Sequence, residues 1–195
     1  MTRNPETSLT IDTHHHILPD FFWRETNDSH APVGGLVPLQ WSKEAMISFM
    51  DDAGIDVAVM SVSTPGVHLG DSEKARSLAR RCNEFAAELV HTRPDQFASF
   101  ACVPLPDIDA SLEELSYALD VLKLDGLVLF TNSRGVYLGD ATLQPVFEEL
   151  ERRKPANGTP ASLAAPVPPR SSCSRCPDPC NLQRKPCNRI EDVLR

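Results

Sequence analysis

No run of about 18 apolar residues occurs in the chain, so the sequence offers no transmembrane helix. The stretch Met1 to Thr10 is polar and has no apolar segment of secretory type, which gives a cytoplasmic location as the default expectation. No apolar strand pattern is followed by a GxGxxG or GxxxxGK[ST] loop, and this disfavours a dinucleotide- or nucleotide-binding sheet. Basic residues are the minority, 19 Lys and Arg against 27 Asp and Glu. The net charge of −8 argues against nucleic acid or an acidic membrane surface as partner of the whole molecule. At 195 residues the chain is also shorter than the roughly 250 that a full (β/α)8 barrel needs. Against these absences stands an ordinary globular composition, 41% hydrophobic and 24% charged.

The averages hide a boundary. Residues 155–195 hold eight of the 17 prolines and four of the six cysteines, and they contain no Phe, Trp or Tyr. Six basic and three acidic side chains lie there, against 13 basic and 24 acidic ones in residues 1–154. Such a segment can bury little apolar surface against its ordering entropy, so the expectation is a domain over 1–154 and a disordered tail over 155–195.

Within 1–154, short apolar runs alternate with helical patterns. Leu9 to His16, Asp56 to Val62, Phe97 to Val103 and Gly126 to Phe130 read as strands. A long loop containing Pro19, Pro32, Gly34, Gly35 and Pro38 follows the first. Ser42 caps a helix with Met46, Phe49, Met50 and Ala53 on one face, ended by Gly54; Asp71 caps a longer one that Pro94 stops. Asp109 opens a third with Leu112, Leu115, Leu119 and Leu122. A fourth carries Leu143, Val146, Phe147 and Leu150, and Pro155 forbids its continuation. The order βαβαβαβα predicts a parallel sheet covered by helices, four consecutive units of a β/α barrel.

The chemistry-bearing stretch is Asp12-Thr13-His14-His15-His16 at the end of the first strand. Strand alternation sends His14 and His16 to one face and His15 to the other. Two imidazoles at i and i+2 can share one metal ion, and catalytic zinc keeps an open position for substrate. By the same alternation Asp12 faces with His14 and His16, placed to orient a ligand from behind. A polar strand end with solvated histidines accounts for the same residues.

Ile-Asp-Thr-His-His-His-Ile-Leu-Pro resembles the first-strand motif of the amidohydrolase-related decarboxylases, relatives of aminocarboxymuconate-semialdehyde decarboxylase, and within them the fungal 6-methylsalicylate decarboxylase group. The resemblance continues through Ser-Val-Ser-Thr-Pro-Gly-Val (61–67), Ala-Arg-Arg-Cys-Asn-Glu-Phe-Ala (79–86), Ala-Cys-Val-Pro-Leu-Pro-Asp (101–107), Asp-Gly-Leu-Val-Leu-Phe-Thr-Asn (125–132), Tyr-Leu-Gly-Asp (137–140) and Pro-Val-Phe-Glu-Glu-Leu (145–150). It implies a metal-dependent TIM barrel, with zinc or another divalent metal and no organic cofactor, that removes carbon dioxide from an aromatic or unsaturated carboxylate. It implies His14 and His16 as metal ligands. It also implies a third His on strand five, an acid/base His on strand six and an Asp on strand eight. Here the expected fifth strand gives way to Pro-Ala-Asn-Gly-Thr-Pro-Ala-Ser, and no histidine follows His91. The expectation is the N-terminal half of a barrel, inactive as it stands, from a frameshift, a mis-spliced intron or a faulty gene model.

Several other residues are candidates. Phe21, Phe22 and Trp23 follow the metal strand and could wall an aromatic substrate or pack the barrel. His68 follows the second strand, and Asn132 and Arg134 follow the fourth, on the rim where a small-molecule carboxylic acid would be held by a guanidinium or amide. A solvated loop accounts equally for Asn132 and Arg134, and a loop or helix-end position is the preferred reading of His68. Cys82 and Cys102 read as small core residues, and His30 and His91 as loop or helix-end residues. Cys173, Cys176, Cys180 and Cys187 are spaced poorly for a zinc knuckle, and an unselected tail is preferred to zinc or disulfides. A hydrolase of an ester or lactone from the same superfamily is the rival activity. A non-catalytic fragment is the rival from another class. Open edges at strands one and four invite another chain, a second copy in a homodimer included.

Overall fold

The structure is a computed structural model that describes residues 9–26 and 41–153. The start of the chain, residues 27–40 with His30, and residues 154–195 with the four tail cysteines lie outside the described residues, so the expected tail lies outside them too.

Four parallel strands form one sheet: β1 (Ile11–Ile17), β2 (Val57–Val62), β3 (Phe97–Ala101) and β4 (Gly126–Leu127), in the order β1-β2-β3-β4. Between and after them run α1 (Asp20–Thr26), α2 (Lys43–Ala53), α3 (Ser72–Thr92), α4 (Ile108–Ser116) and α5 (Gln144–Arg152). A two-stranded antiparallel ribbon, β5 (Asn132–Ser133) with β6 (Val136–Tyr137), stands beyond β4. Sequential parallel strands joined by helical crossovers are the repeating unit of a β/α barrel, and the described residues supply four of its eight units.

The caps read from sequence are present. Ser42 Oγ accepts from the Ala45 N–H, Asp71 from the Lys74 N–H, and Gly54 closes α2 at φ 67°, where a side chain would be strained. Four expectations need correction. α4 is capped by Asp107 rather than opened by Asp109; the Asp107 carboxylate accepts from the Ala110 N–H. The helix then loosens into a π turn over Tyr117–Val121, so Leu122 falls past its end. Asp20–Thr26, expected within a loop, is a helix, with the Trp23 N–H bonded to the Pro19 carbonyl at 3.0 Å. β4 pairs over only two residues. After the Val128 N–H bonds the Ala101 carbonyl, the chain leaves the sheet.

Helices cover the sheet through three apolar clusters. Ile17, Ala58, Met60 and Phe97 meet Met46 and Met50 of α2 and Ala86 and Leu89 of α3. Ala101, Leu127 and Leu129 meet Leu115, Val146 and Leu150. The third gathers Val59, Val62, Phe100 and Val128 with Phe22, Leu78, Cys82 and Cys102, so both body cysteines are buried core residues as expected.

One buried polar knot fixes the end of β3. Asn83, 1% exposed, matches its amide to the Cys102 backbone. The Cys102 N–H donates to Oδ1 at 2.9 Å, and Nδ2 donates to the Cys102 carbonyl at 2.9 Å. The same Nδ2 donates to Glu114 Oε1 at 2.8 Å, and Arg80 Nε donates to Glu114 Oε2 at 2.8 Å. Every member is satisfied, so the knot ties α3, β3 and α4 together where the strand meets its loop. Asn83→Ala would strand the Cys102 backbone groups, at a cost on the order of 3 kcal/mol. A thermal melt should show the loss. An unchanged midpoint would mean that the knot contributes little.

Candidate metal and substrate site

His14 and His16 lie near the C-terminal end of β1, the end at which barrel enzymes carry their chemistry. Their side chains converge: His14 Nε2 and His16 Nε2 are 3.1 Å apart, and the rings meet edge to face at 4.8 Å between centroids. His15 points the other way. It is buried, its ring 6.1 Å from that of Phe49 on α2. The alternation expected for the three histidines is therefore present.

It does not extend back to Asp12. The β1–β2 register shifts between Asp12 and His15, an irregularity of bulge type that breaks the period of two. The Asp12 carboxylate does not reach the rings of His14 or His16. One oxygen accepts from the His14 backbone N–H at 3.0 Å, and the other meets His15 Nδ1 at 2.9 Å. Burial pushes this carboxyl up, but the hydrogen bonds from His14 and His15 outweigh it and hold it below the ordinary carboxylate value. Asp12 thus contacts the backbone of His14 and the ring of His15.

His16 has a partner that sequence reading missed. In the strand register it faces Ser61, whose Oγ lies 3.3 Å from His16 Nδ1. Only the pairing register reveals this, because the two residues are 45 apart in sequence. Burial, and then the neighbouring His14, hold the His16 imidazole below its ordinary value, so the ring is neutral at pH 7. Neutral imidazoles with free nitrogens are what a divalent cation requires. Nitrogens 3.1 Å apart can each lie about 2.0–2.1 Å from one ion. The pair fits a metal. Among the described residues, no group of three or more His, Cys, Asp or Glu could complete its coordination.

The other candidates divide. His68, Asn132 and Arg134 line one cleft of about 370 Å³ at the C-terminal ends of β2, β3 and β4, together with Val67, Val103 and Phe130. His14 and His16 are not in its lining. Arg134 and Gly135 form the turn of the β5–β6 ribbon, at φ 54° and 89°, the positive values a two-residue hairpin turn requires. Arg134 lies close to Gly70, where an added Cβ would stand 3.5 Å from Nη2. The Gly70 N–H in turn donates to His68 Nδ1 at 3.2 Å. Among the described residues Arg134 has no carboxylate partner. Of the aromatics expected to wall a substrate or pack the barrel, neither Phe22 nor Trp23 lines this cleft. Phe22 is fully buried in the core with Leu78 and Cys82, and half-buried Trp23 packs on the same cluster, so neither reaches the cleft.

His16 also sets a pH dependence. The unfolded chain takes up its proton near the ordinary value of 6.5, whereas the folded ring resists until lower pH. Below about 6.5 the unfolded state binds more protons, so stability should fall as pH drops through that window. Melting temperatures taken from about pH 8 to about pH 5 should decline, and His16→Gln should flatten the decline. An unaltered slope in the variant would contradict the assignment.

The amidohydrolase family model matches residues 11–165. The 6-methylsalicylic acid decarboxylase acuB of Aspergillus aculeatus is 39% identical over 152 residues, covering 75% of this chain and 46% of that protein. A solved amidohydrolase II superposes with a TM-score of 0.72 at 30% identity, over 80% of this chain and 49% of that one. The manganese-bound 5-carboxyvanillate decarboxylase of Novosphingobium aromaticivorans, a D314N mutant, superposes with a TM-score of 0.64 at 26% identity, over 77% of this chain and 50% of that one. The chain spans somewhat less than half the length of the curated relatives it matches. With its four β/α units and this match over most of its length, the chain belongs to the amidohydrolase family and has the architecture of the N-terminal half of that family's barrel.

Proposed function

We propose that this chain carries the first half of a metal-dependent, non-oxidative decarboxylase of a 6-methylsalicylate-like aromatic acid. The observation that carries the reading is the convergence of His14 Nε2 and His16 Nε2 at the C-terminal end of β1. The relation to decarboxylases of aromatic acids supports the substrate class.

His14 and His16 would hold a divalent metal, zinc or the manganese found in a related enzyme, which would supply Lewis-acid chemistry there. The chain's own residues do the rest of what this half can do. His14 and His16 present their Nε2 atoms to it, and the Asp12 carboxylate accepts from the His14 backbone N–H. His68, Asn132 and Arg134 offer hydrogen-bond donors to the anionic and hydroxyl groups of the ring substrate. Val67, Val103 and Phe130 give the cleft an apolar lining for the ring. In the reaction the ring–carboxyl bond breaks, its electron pair stays on the ring carbon, and a proton takes the place of the departing carbon dioxide.

That proton needs a positioned acid, and the metal needs further ligands. Among the described residues no group of three or more His, Cys, Asp or Glu supplies those ligands. The 195-residue chain alone should therefore release no carbon dioxide from 6-methylsalicylate. Joined to, or co-expressed with, the second half of a fungal relative, it should gain turnover that His14→Ala or His16→Ala abolishes. Cleavage of aryl esters or lactones in place of carbon dioxide release would favour the hydrolase reading. Turnover by the chain alone would overturn the claim that half the machinery is lacking.

A further inference from the structure

Six of the eight arginines among the described residues pair with a carboxylate, and a seventh, Arg93, donates to Gln96. Arg134 has no such partner among them. It also holds φ 54°, a backbone conformation that favours glycine or asparagine, at the tip of the β5–β6 hairpin. The hairpin is pinned at its base: the Ser133 hydroxyl donates to the Leu105 carbonyl at 2.5 Å, and the Leu138 N–H to the Thr131 carbonyl at 3.3 Å. The guanidinium rests against the Gly70 backbone, where an added Cβ would stand 3.5 Å from Nη2. An arginine held in an unfavoured turn position with its charge unpaired points to a role other than stability.

Its two polar neighbours in the cleft are oriented through their acceptors. His68 Nδ1 accepts from the Gly70 N–H at 3.2 Å, so the neutral ring carries its proton on Nε2. Asn132 Oδ1 accepts from the Gly135 N–H at 3.2 Å, which leaves Nδ2 to donate. The acceptors are thus spent on the backbone, while the guanidinium, the imidazole Nε2–H and the amide N–H groups remain as donors. No Asp or Glu among the described residues lines the cleft. Half-buried Phe130 supplies an apolar side. Its ring edge lies over Gly66, where an added Cβ would stand 3.0 Å from Cε2, so the absence of a side chain there lets the ring sit where it does. The cleft, about 370 Å³, has room for one substituted benzene ring.

We propose that this cleft binds an aryl carboxylate without any metal, with Arg134 as the carboxylate anchor, His68 and Asn132 as further donors to it, and Phe130 as the surface for the ring. Binding involves no covalent step. The inference rests on the substrate reading above for its choice of acid and deepens it, giving the acid an anchor on residues outside the histidine pair.

The test is calorimetry on the 195-residue chain in the presence of a chelator. Three probes are compared: 6-methylsalicylate, 3-methylphenol, which lacks the carboxylate, and acetate, which lacks the ring. The first should bind, and the other two should each bind at least about 10-fold more weakly. Arg134→Asn removes the charge but puts at the turn an Asn-Gly pair that favours it, so the hairpin should persist while affinity for 6-methylsalicylate falls about 10- to 100-fold. Phe130→Leu should cost about 3- to 10-fold. In wild type, 6-methylsalicylate should shift the backbone amide resonances of Gly66, Gly70, Asn132 and Arg134, a check that holds even if a variant fails to fold. A folded Arg134→Asn that binds as tightly as wild type would overturn the proposal. So would 3-methylphenol binding as tightly as the acid, binding that appears only with added zinc, amide shifts confined to other parts of the chain, or a wild type that binds none of the three probes. If Arg134-dependent binding stands and the completed barrel releases no carbon dioxide, the decarboxylase reading fails and this site survives it.

Discussion

The parallel pairing of β1 with β2 is the constraint on which the site depends. It sets His16 opposite Ser61 and Ile17 opposite Val62, and its one irregularity, between Asp12 and His15, sets which way each ring faces. A slip of one residue would turn His14 and His16 into the helix layer and bring His15 to the open face. Two features oppose such a slip. Ile17 and Met60 are anchored against α2 and α3, and the Asp12 carboxylate grips both the His14 backbone and the His15 ring. The second is the more specific, because it acts on the residues between the candidate ligands.

The histidine pair and the cleft are separate features at the C-terminal ends of the strands rather than one cavity. The pair sits on the first strand, and the cleft is built by the loops after the second, third and fourth. The Asn83 knot steadies the far side of this arrangement, because Cys102 and Val103, just past the end of β3, line the cleft. Stability and site geometry are therefore coupled through the C-terminal ends of the strands.

The order of strands and helices was legible because each strand is a short apolar run and each long helix carries a cap residue and a periodic face. The histidine pair was legible because alternation is local. Several misses in the site depend on partners distant in sequence. The irregularity at Asp12 is a property of two strands, not of one. Ser61 becomes a candidate only once the register joins it to His16. Phe22 stands in sequence where a wall for the substrate could be, but its helix folds it into the core beside Leu78 and Cys82, a contact no local pattern contains. Its position after β4 is enough to place Arg134 on the right rim. The hairpin that carries it, with two successive positive φ values, was not foreseen, because only Gly135 announces such a turn.

The central claim is that His14 and His16 together form half of a divalent-metal site. X-ray absorption at the zinc edge of the zinc-loaded chain tests it most directly. The account predicts two imidazole nitrogens at about 2.0–2.1 Å, the remaining coordination filled by water, and a change to a single imidazole in His14→Ala. A spectrum with no imidazole shell, or one that His14→Ala and His16→Ala leave unaltered, would contradict it.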